Sequence, residues 1–215
     1  MEEKRQRLKE LLDEYMKGNA CLAFSGGIDS SLILKLAQEA ADRNGTKLYA
    51  VTFDTVLHPK ADREIASRVA KENHSIHEVI SIDELKQKEI RFNPKNRCYL
   101  CKKSLFSGLL DFARAHDAAT VMEGTNQDDL KQYRPGIQAV KAVQIQVLRV
   151  AHRGGHAAQV GRHRLQCNNR DIESFSTGLG GQHQRQRHKG DQRHIDEYFE
   201  ERVGTHGFFV FVGHT

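Results

Sequence analysis

Ala20-Cys21-Leu22-Ala23-Phe24-Ser25-Gly26-Gly27-Ile28-Asp29-Ser30-Ser31 decides the reading of this chain. The unbroken apolar run Ala20–Phe24 has the form of a strand buried on both faces. Beyond the glycines, Leu32, Ile33, Leu34, Leu36, Ala37, Ala40 and Ala41 follow helical spacing until Asn44-Gly45 stops them. A loop at the carboxyl end of a buried strand is where an open α/β sheet binds ligands. Glycines let backbone approach an anion with no Cβ in the way. The first-turn amides of the next helix and its dipole favour phosphate there. Ser25 and Ser30 can add hydroxyl donors. Asp29 would repel phosphate alone, but it suits Mg²⁺, which takes carboxylate and phosphate oxygens together. A capped turn uses similar residue types. The complete Ser-Gly-Gly-x-Asp-Ser string between strand and helix favours an anion site instead. No Gly-Lys-Ser/Thr follows, so this is not a Walker A loop.

The pattern continues outward as alternating helix and strand. Leu8, Leu11, Leu12, Tyr15 and Met16 predict a helix over 3–17. Leu48–Phe53 reads as a second strand, 60–73 as a helix, Ser75–Ile80 as a strand and Ile82–Glu89 as a short helix. Leu105, Phe106, Leu109, Leu110 and Phe112 predict a helix over 102–116, and Ala119–Met122 a fourth strand. This rhythm implies βαβ units: an α/β fold with an open parallel sheet and helices on both faces, Rossmann-like.

Two further strings carry chemistry. Arg97-Cys98-Tyr99-Leu100-Cys101-Lys102 precedes the 102–116 helix, and its C-x-x-C spacing lets Cys98 and Cys101 reach one metal or cluster. Arg97, Lys102 and Lys103 would favour thiolate there. Two ordinary thiols or a redox pair are the alternatives, since closed zinc or iron–sulfur sites need four ligands. Glu123-Gly124-Thr125-Asn126-Gln127-Asp128-Asp129 follows the fourth strand, on the same edge as the glycine loop. Asp128 and Asp129 can hold Mg²⁺ or a ribose hydroxyl, and Arg134 can pair with phosphate or carboxylate. A capped, solvated helix start is the plainer reading of that string.

The glycine string resembles the PP-loop of the ATP pyrophosphatase superfamily, whose fold is adenine nucleotide alpha hydrolase-like. The three strings together resemble the LarE-type ATP-dependent sacrificial sulfur transferases, over about residues 1–140. The resemblance implies that Ser25, Gly26, Gly27, Asp29 and Ser30 hold the pyrophosphate end of ATP with Mg²⁺. It places Gly124, Thr125, Asn126, Asp129 and Arg134 around the nucleotide, and gives Asp29 and Asp128 catalytic roles. It implies adenylation of a carboxylate on a pyridinium mononucleotide, then its conversion to a thiocarboxylate in nickel-pincer cofactor biosynthesis. Sulfur comes from a downstream cysteine in one branch of the family. In another it comes with a [4Fe-4S] cluster on a C-x-x-C like Cys98/Cys101 plus a third cysteine. The neighbours of Cys167 match neither downstream pattern, and it receives no role. A small nucleotide-like substrate and a homo-oligomer are the partners implied. The rival readings are a tRNA-thiolating or NAD/GMP-synthetase-like PP-loop enzyme, an ATP-binding chain without catalysis, and a metal module on Cys98, Cys101 and the tail histidines. RNA is a partner only under the first of these.

The composition changes near residue 138. Of 215 residues, 38% are hydrophobic and 28% charged, with net charge +5. Residues 1–137 hold 22 Lys+Arg against 21 Asp+Glu; 138–215 hold 11 against 7, so the basic excess lies in the tail. Past residue 137 Arg outnumbers Lys nine to two, and eight of the 12 His are found there. Gly180–His188 shows neither helical nor strand period and can bury little against its ordering entropy. Val143–Val150 alternates like a strand, Ile195–Val203 could be one helix, and Phe208–Val212 is an apolar cluster. The chain therefore divides into a PP-loop nucleotide-binding domain, 1–137, and an atypical Arg/His/Gln-rich segment, 138–215. That segment has three open readings: a basic arm for nucleic acid, a His-rich metal tract, or translation outside the ancestral frame. No apolar run approaches the roughly 18 residues of a spanning helix. The N-terminus lacks a secretory h-region, and four cysteines do not make a disulfide framework. The expectation is a cytoplasmic protein with no membrane partner.

Overall fold

Strand β1 (Asn19–Ala23) lies at the centre of the sheet, and its side chains alternate between two cores. Ala20 and Leu22 join one core with α1 (Glu2–Tyr15), α2 (Ile28–Asn44) and α3 (Lys60–Glu72). Cys21 points into the other, with α5 (Arg97–Ala115) and α6 (Pro135–Ala142). A strand covered on both sides must be apolar at consecutive positions, which is why its run is unbroken. The computed structural model describes residues 2–56, 59–126, 135–143, 146–150 and 208–214.

Strands β2 (Leu48–Thr55), β3 (Ile76–Ile82), β4 (Ala118–Asn126), β5 (Gln146–Val150) and β6 (Phe208–His214) complete a sheet of order β3-β2-β1-β4-β6-β5. The first four strands are parallel; β6 runs antiparallel to both β4 and β5. Leu22 stands opposite Ala50 on one side and Met122 on the other. The chain leaves β1 towards β2 and β3, then returns to pair β4 on β1's other edge. This reversal makes the β1 and β4 carboxyl ends a topological switch point, where open α/β sheets hold ligands.

Helix α1 covers the first core through Leu8 and Leu12, both essentially inaccessible. Full burial of each such side chain is worth about 1.5–3 kcal/mol. Asp13 pairs with Arg43 of α2 at 2.7 Å, an exposed ion pair that adds at most about 1 kcal/mol. Gly45, at φ +65°, ends α2 in the left-handed conformation. Leu105, Phe106, Leu109 and Ala113 of α5 pack on Tyr49, Val51 and Val121 in the second core. No helix among the described residues is long and apolar enough to cross a membrane.

Several elements differ from their sequence reading. Ile82 ends β3 rather than starting a helix. Asp83 then caps a 3-10 turn, Glu84–Lys86, by accepting from Leu85 N–H at 3.1 Å, and a single helical turn, α4 (Lys88–Arg91), follows. Helix α5 begins at Arg97, five residues earlier than its apolar period, so Cys98 and Cys101 lie in it. Its first turn is partly buried throughout except at Cys98 and shows no apolar stripe. β4 runs to Asn126 because β6 pairs with it as far as Phe208. The alternating stretch near Val150 and the Phe208–Val212 cluster are adjacent strands, while α6 crosses residue 137. The helix expected over Ile195–Val203 lies outside the described residues.

Candidate functional site

The glycine loop occupies the β1 end of the switch point. Phe24 extends the β1–β2 ladder, its N–H donating to Val51 O at 2.8 Å. The chain then turns at Gly26, φ +70° and buried. A Cβ at Gly26 would stand 2.8 Å from Ala66 N and 2.9 Å from Ala66 Cα, so the loop lies directly on α3. Gly27, extended at φ −75° and ψ 161°, occupies the N-cap position of α2 without a capping side chain. A closed ring of hydrogen bonds fixes the loop. Gly27 N–H donates to Ser25 Oγ at 3.3 Å, and Ser30 Oγ donates to Gly27 O at 3.0 Å. Ser30's only hydroxyl hydrogen is thus used, so Ser25 Oγ donates to Ser30 Oγ across 3.2 Å. Ser31 N–H makes the first helical bond, to Gly27 O at 2.9 Å. The amides of Ile28 and Ser30 precede it and have no intrahelical acceptor, the arrangement that receives an anion.

The carboxyl end of β4 abuts this first turn. A Cβ on Gly124 would meet Ile33 Cδ1 at 3.1 Å, Ser30 N at 3.3 Å and Asp29 C at 3.4 Å. Gly124 therefore packs tightly on the start of α2, and it brings the second sequence string against the first. Buried Glu123 accepts from the Lys102 ammonium of α5 through Oε1 and from Thr125 Oγ1 through Oε2 at 3.4 Å. The same ammonium lies 4.9 Å from the Phe106 ring centre. Asp29 is half-buried in the first turn of α2, beside the loop. A carboxylate beside an anion cradle matches the oxygen chemistry of Mg²⁺. Asn126 closes β4. Asp128, Asp129 and Arg134 lie outside the described residues.

Sequence reasoning missed a support beneath the loop. Thr52 Oγ1 donates to Phe24 O at 2.9 Å, one residue before Ser25. That leaves Thr52 to accept from His77 Nε2–H, also at 2.9 Å, which fixes the imidazole tautomer. The Phe24 and His77 rings meet edge to face at 6.4 Å. His77 also borders a groove of 460 Å³ with Arg63, Arg68 and Lys71 of α3. Burial holds the His77 pKa below its usual 6.5, with Glu78 opposing. Neutral imidazole is therefore the native form. Its contribution to stability is present above pH 6.5 and lost as pH falls through the lowered value. The unfolding free energy from urea melts is expected to decline on acidification between pH 6.5 and that lowered value. His77→Gln, which cannot titrate, should lose that component of the slope.

The C-x-x-C does not behave as its flanking charges suggest. Cys98 is exposed and Cys101 half-buried. The Cys101 thiol is pushed up to about 11, by burial first and by Glu84 next, and its Sγ–H donates to Glu84 Oε1 at 3.6 Å. Lys102 does not favour a thiolate there because its ammonium is held by Glu123. Among the described residues no group of three or more His, Cys, Asp or Glu can hold a metal ion. Cys98 and Cys101 by themselves supply two of the four ligands of a closed metal or cluster site, and Cys167 lies outside the described residues. Glu84, fully buried, was invisible to sequence reasoning because a charged residue after a strand reads as solvated.

Comparison with known proteins places this geometry. An uncharacterized protein of Synechocystis is 36% identical over 141 residues, 66% of this chain and 51% of that one. Pyridinium-3,5-bisthiocarboxylic acid mononucleotide synthase of Lactiplantibacillus plantarum is 33% identical over 118 residues, 55% of this chain and 42% of that one. The chain spans about half the length of the curated relatives it matches. Among solved structures, the U34-tRNA thiolase NcsA from Methanococcus maripaludis with its [4Fe-4S] cluster is 16% identical, covering 67% of this chain and 51% of that one, with a TM-score of 0.48. The NH3-dependent NAD synthetase of Campylobacter jejuni is 22% identical, covering 54% of each chain, with a TM-score of 0.44. The PP-loop domain matches residues 1–130, the span that carries β1, the glycine loop and β4, and the chain belongs to that family.

Proposed function

We propose that residues 1–137 bind MgATP at the β1–β4 switch point and adenylate a carboxylate of a small nucleotide-like substrate, in preparation for sulfur transfer. The observation that carries this reading is the close approach of backbone around the glycine loop: Gly26 lies against α3 with no room for a Cβ, and Gly124 at the end of β4 lies tight against the first turn of α2. In the proposed reaction a substrate carboxylate oxygen attacks the α-phosphorus and pyrophosphate leaves. The loop amides, held in place by the hydrogen-bond ring of Ser25 and Ser30, would meet the charge that grows on the leaving group; one such donor is worth about 10²–10³-fold in rate. Mg²⁺, held through Asp29, supplies further charge neutralisation when bound. The acyl-adenylate is then open to a sulfur nucleophile. A pyridinium carboxylate mononucleotide is the substrate favoured by the similarity to the Lactiplantibacillus plantarum synthase.

ATP–pyrophosphate exchange tests the reading. Labelled pyrophosphate is expected to enter ATP only with Mg²⁺ and a pyridinium carboxylate mononucleotide present. ATP binding without exchange, for that substrate and for other carboxylates, would reduce the chain to a nucleotide-binding protein. Absence of ATP binding would overturn the reading altogether.

A further inference from the structure

Cys98 and Cys101 sit three residues apart in the opening turn of α5, an α-helical turn entered through Arg97 N–H to Pro94 O at 2.9 Å and Leu100 N–H to Asn96 O at 3.1 Å. Side chains at i and i+3 of a helix lie on one face. Helical neighbours at this spacing have Cβ atoms about 5–6 Å apart. A modest tightening of the turn brings them within disulfide reach. One sulfur meets solvent and the other is half-buried.

Behind the inner sulfur stands Glu84, presented by the 3-10 turn that follows β3 and wholly inaccessible. Oε1 accepts the Cys101 Sγ–H, while Oε2 is buried with no hydrogen-bond partner. A buried oxygen left unpaired is costly and calls for a role. The nucleotide chemistry proposed above uses neither Glu84 nor the two thiols. Cys101 also resists ionisation on its own at neutral pH, its thiol being pushed up to about 11. It therefore needs a base at the moment it attacks.

We infer that Cys98 and Cys101 form a metal-free dithiol–disulfide couple that reduces low-molecular-weight disulfides, with Glu84 accepting the Cys101 proton. The exposed Cys98 sulfur attacks a disulfide RSSR, forms a Cys98–S–S–R bond and expels one thiolate, which takes up the Cys98 proton. Cys101 then gives its proton to Glu84 and attacks the Cys98 sulfur. The bond to R breaks, a second thiolate leaves and receives the proton from Glu84, and Cys98–Cys101 is closed. Two electrons pass from the dithiol to RSSR, giving one intramolecular disulfide and two RSH.

The full chain, purified anaerobically, is assayed for iron and sulfide, then treated with oxidised glutathione and mapped by alkylation and mass spectrometry. Cys98 and Cys101 are expected to lose alkylation together, without stoichiometric iron or sulfide, and to recover it with dithiothreitol. Cys101→Ser should stop at the glutathione adduct on Cys98. Glu84→Gln should form that adduct at the wild-type rate but close it about tenfold or more slowly. Iron and sulfide bound through these cysteines, or a wild-type adduct that never closes, would overturn the inference. So would wild-type closure in Glu84→Gln. Comparing the wild-type chain with Cys101→Ser decides the couple even if Glu84→Gln does not fold. None of these readouts involves ATP, so failure here is separable from failure of the nucleotide site.

Discussion

Gly26→Ala is expected to abolish ATP–pyrophosphate exchange and to lower stability by about 2–5 kcal/mol, a large share of the roughly 5–15 kcal/mol of a typical domain. Two costs add. A non-glycine residue at φ +70° costs about 1–2 kcal/mol. The new methyl would also meet Ala66 N and Cα at 2.8 and 2.9 Å, and forced overpacking costs about 1–3 kcal/mol. Those atoms are helix backbone, so α3 or the loop must move. Gly45→Ala is the control: Gly45 has nearly the same φ, +65°, but a Cβ there meets nothing within 4 Å. It should pay only the conformational cost and keep full exchange. Urea denaturation of both variants, with exchange measured on folded protein, checks this. Equal destabilisation would show that close approach to α3 contributes nothing.

What was legible in the sequence follows from how each contact is made. The β1–loop–α2 unit reads out because strand burial, loop chemistry and helical period change within twelve consecutive residues. The helix over 82–89 misread because Ile82 and Leu85 suggest a helical pair, while Asp83 instead caps a 3-10 turn. The start of α5 was hidden because Arg97 to Lys103 lacks an apolar stripe, the turn being held by Pro94 and Asn96 carbonyls. Side-chain partnerships between elements were hardest. Lys102 and Glu123 are 21 residues apart and meet only because α5 packs beside β4. Thr52 and His77 meet diagonally: by strand register Thr52 stands opposite Val79, and His77 opposite Ala50. Period and composition do not encode that geometry. In the tail, strand-like alternation and an apolar cluster were both visible, but the antiparallel pairing of the cluster onto β4, and of the alternating stretch onto the cluster, was not.

Asp29→Ala is expected to cut exchange by at least about 10²-fold, the scale of several kcal/mol of lost metal-assisted charge stabilisation, while leaving the fold in place. As an acid in the first turn of α2, Asp29 contributes about 0.3–1 kcal/mol through the helix dipole, and urea denaturation of the variant measures its stability cost apart from the activity cost. Asp29→Asn separates the two roles. Asparagine keeps the size and hydrogen-bonding capacity of the side chain but loses its charge. A structural role at the helix start would be rescued by it; a metal-holding role would not. Exchange measured against magnesium concentration should show both variants needing far more Mg²⁺ than the unsubstituted chain, with ATP binding in the absence of metal unchanged or tighter as one repulsive charge is removed. Exchange near the wild-type level in either variant would remove Asp29 from the reaction, and the glycine cradle would then have to neutralise the leaving pyrophosphate through its amides alone.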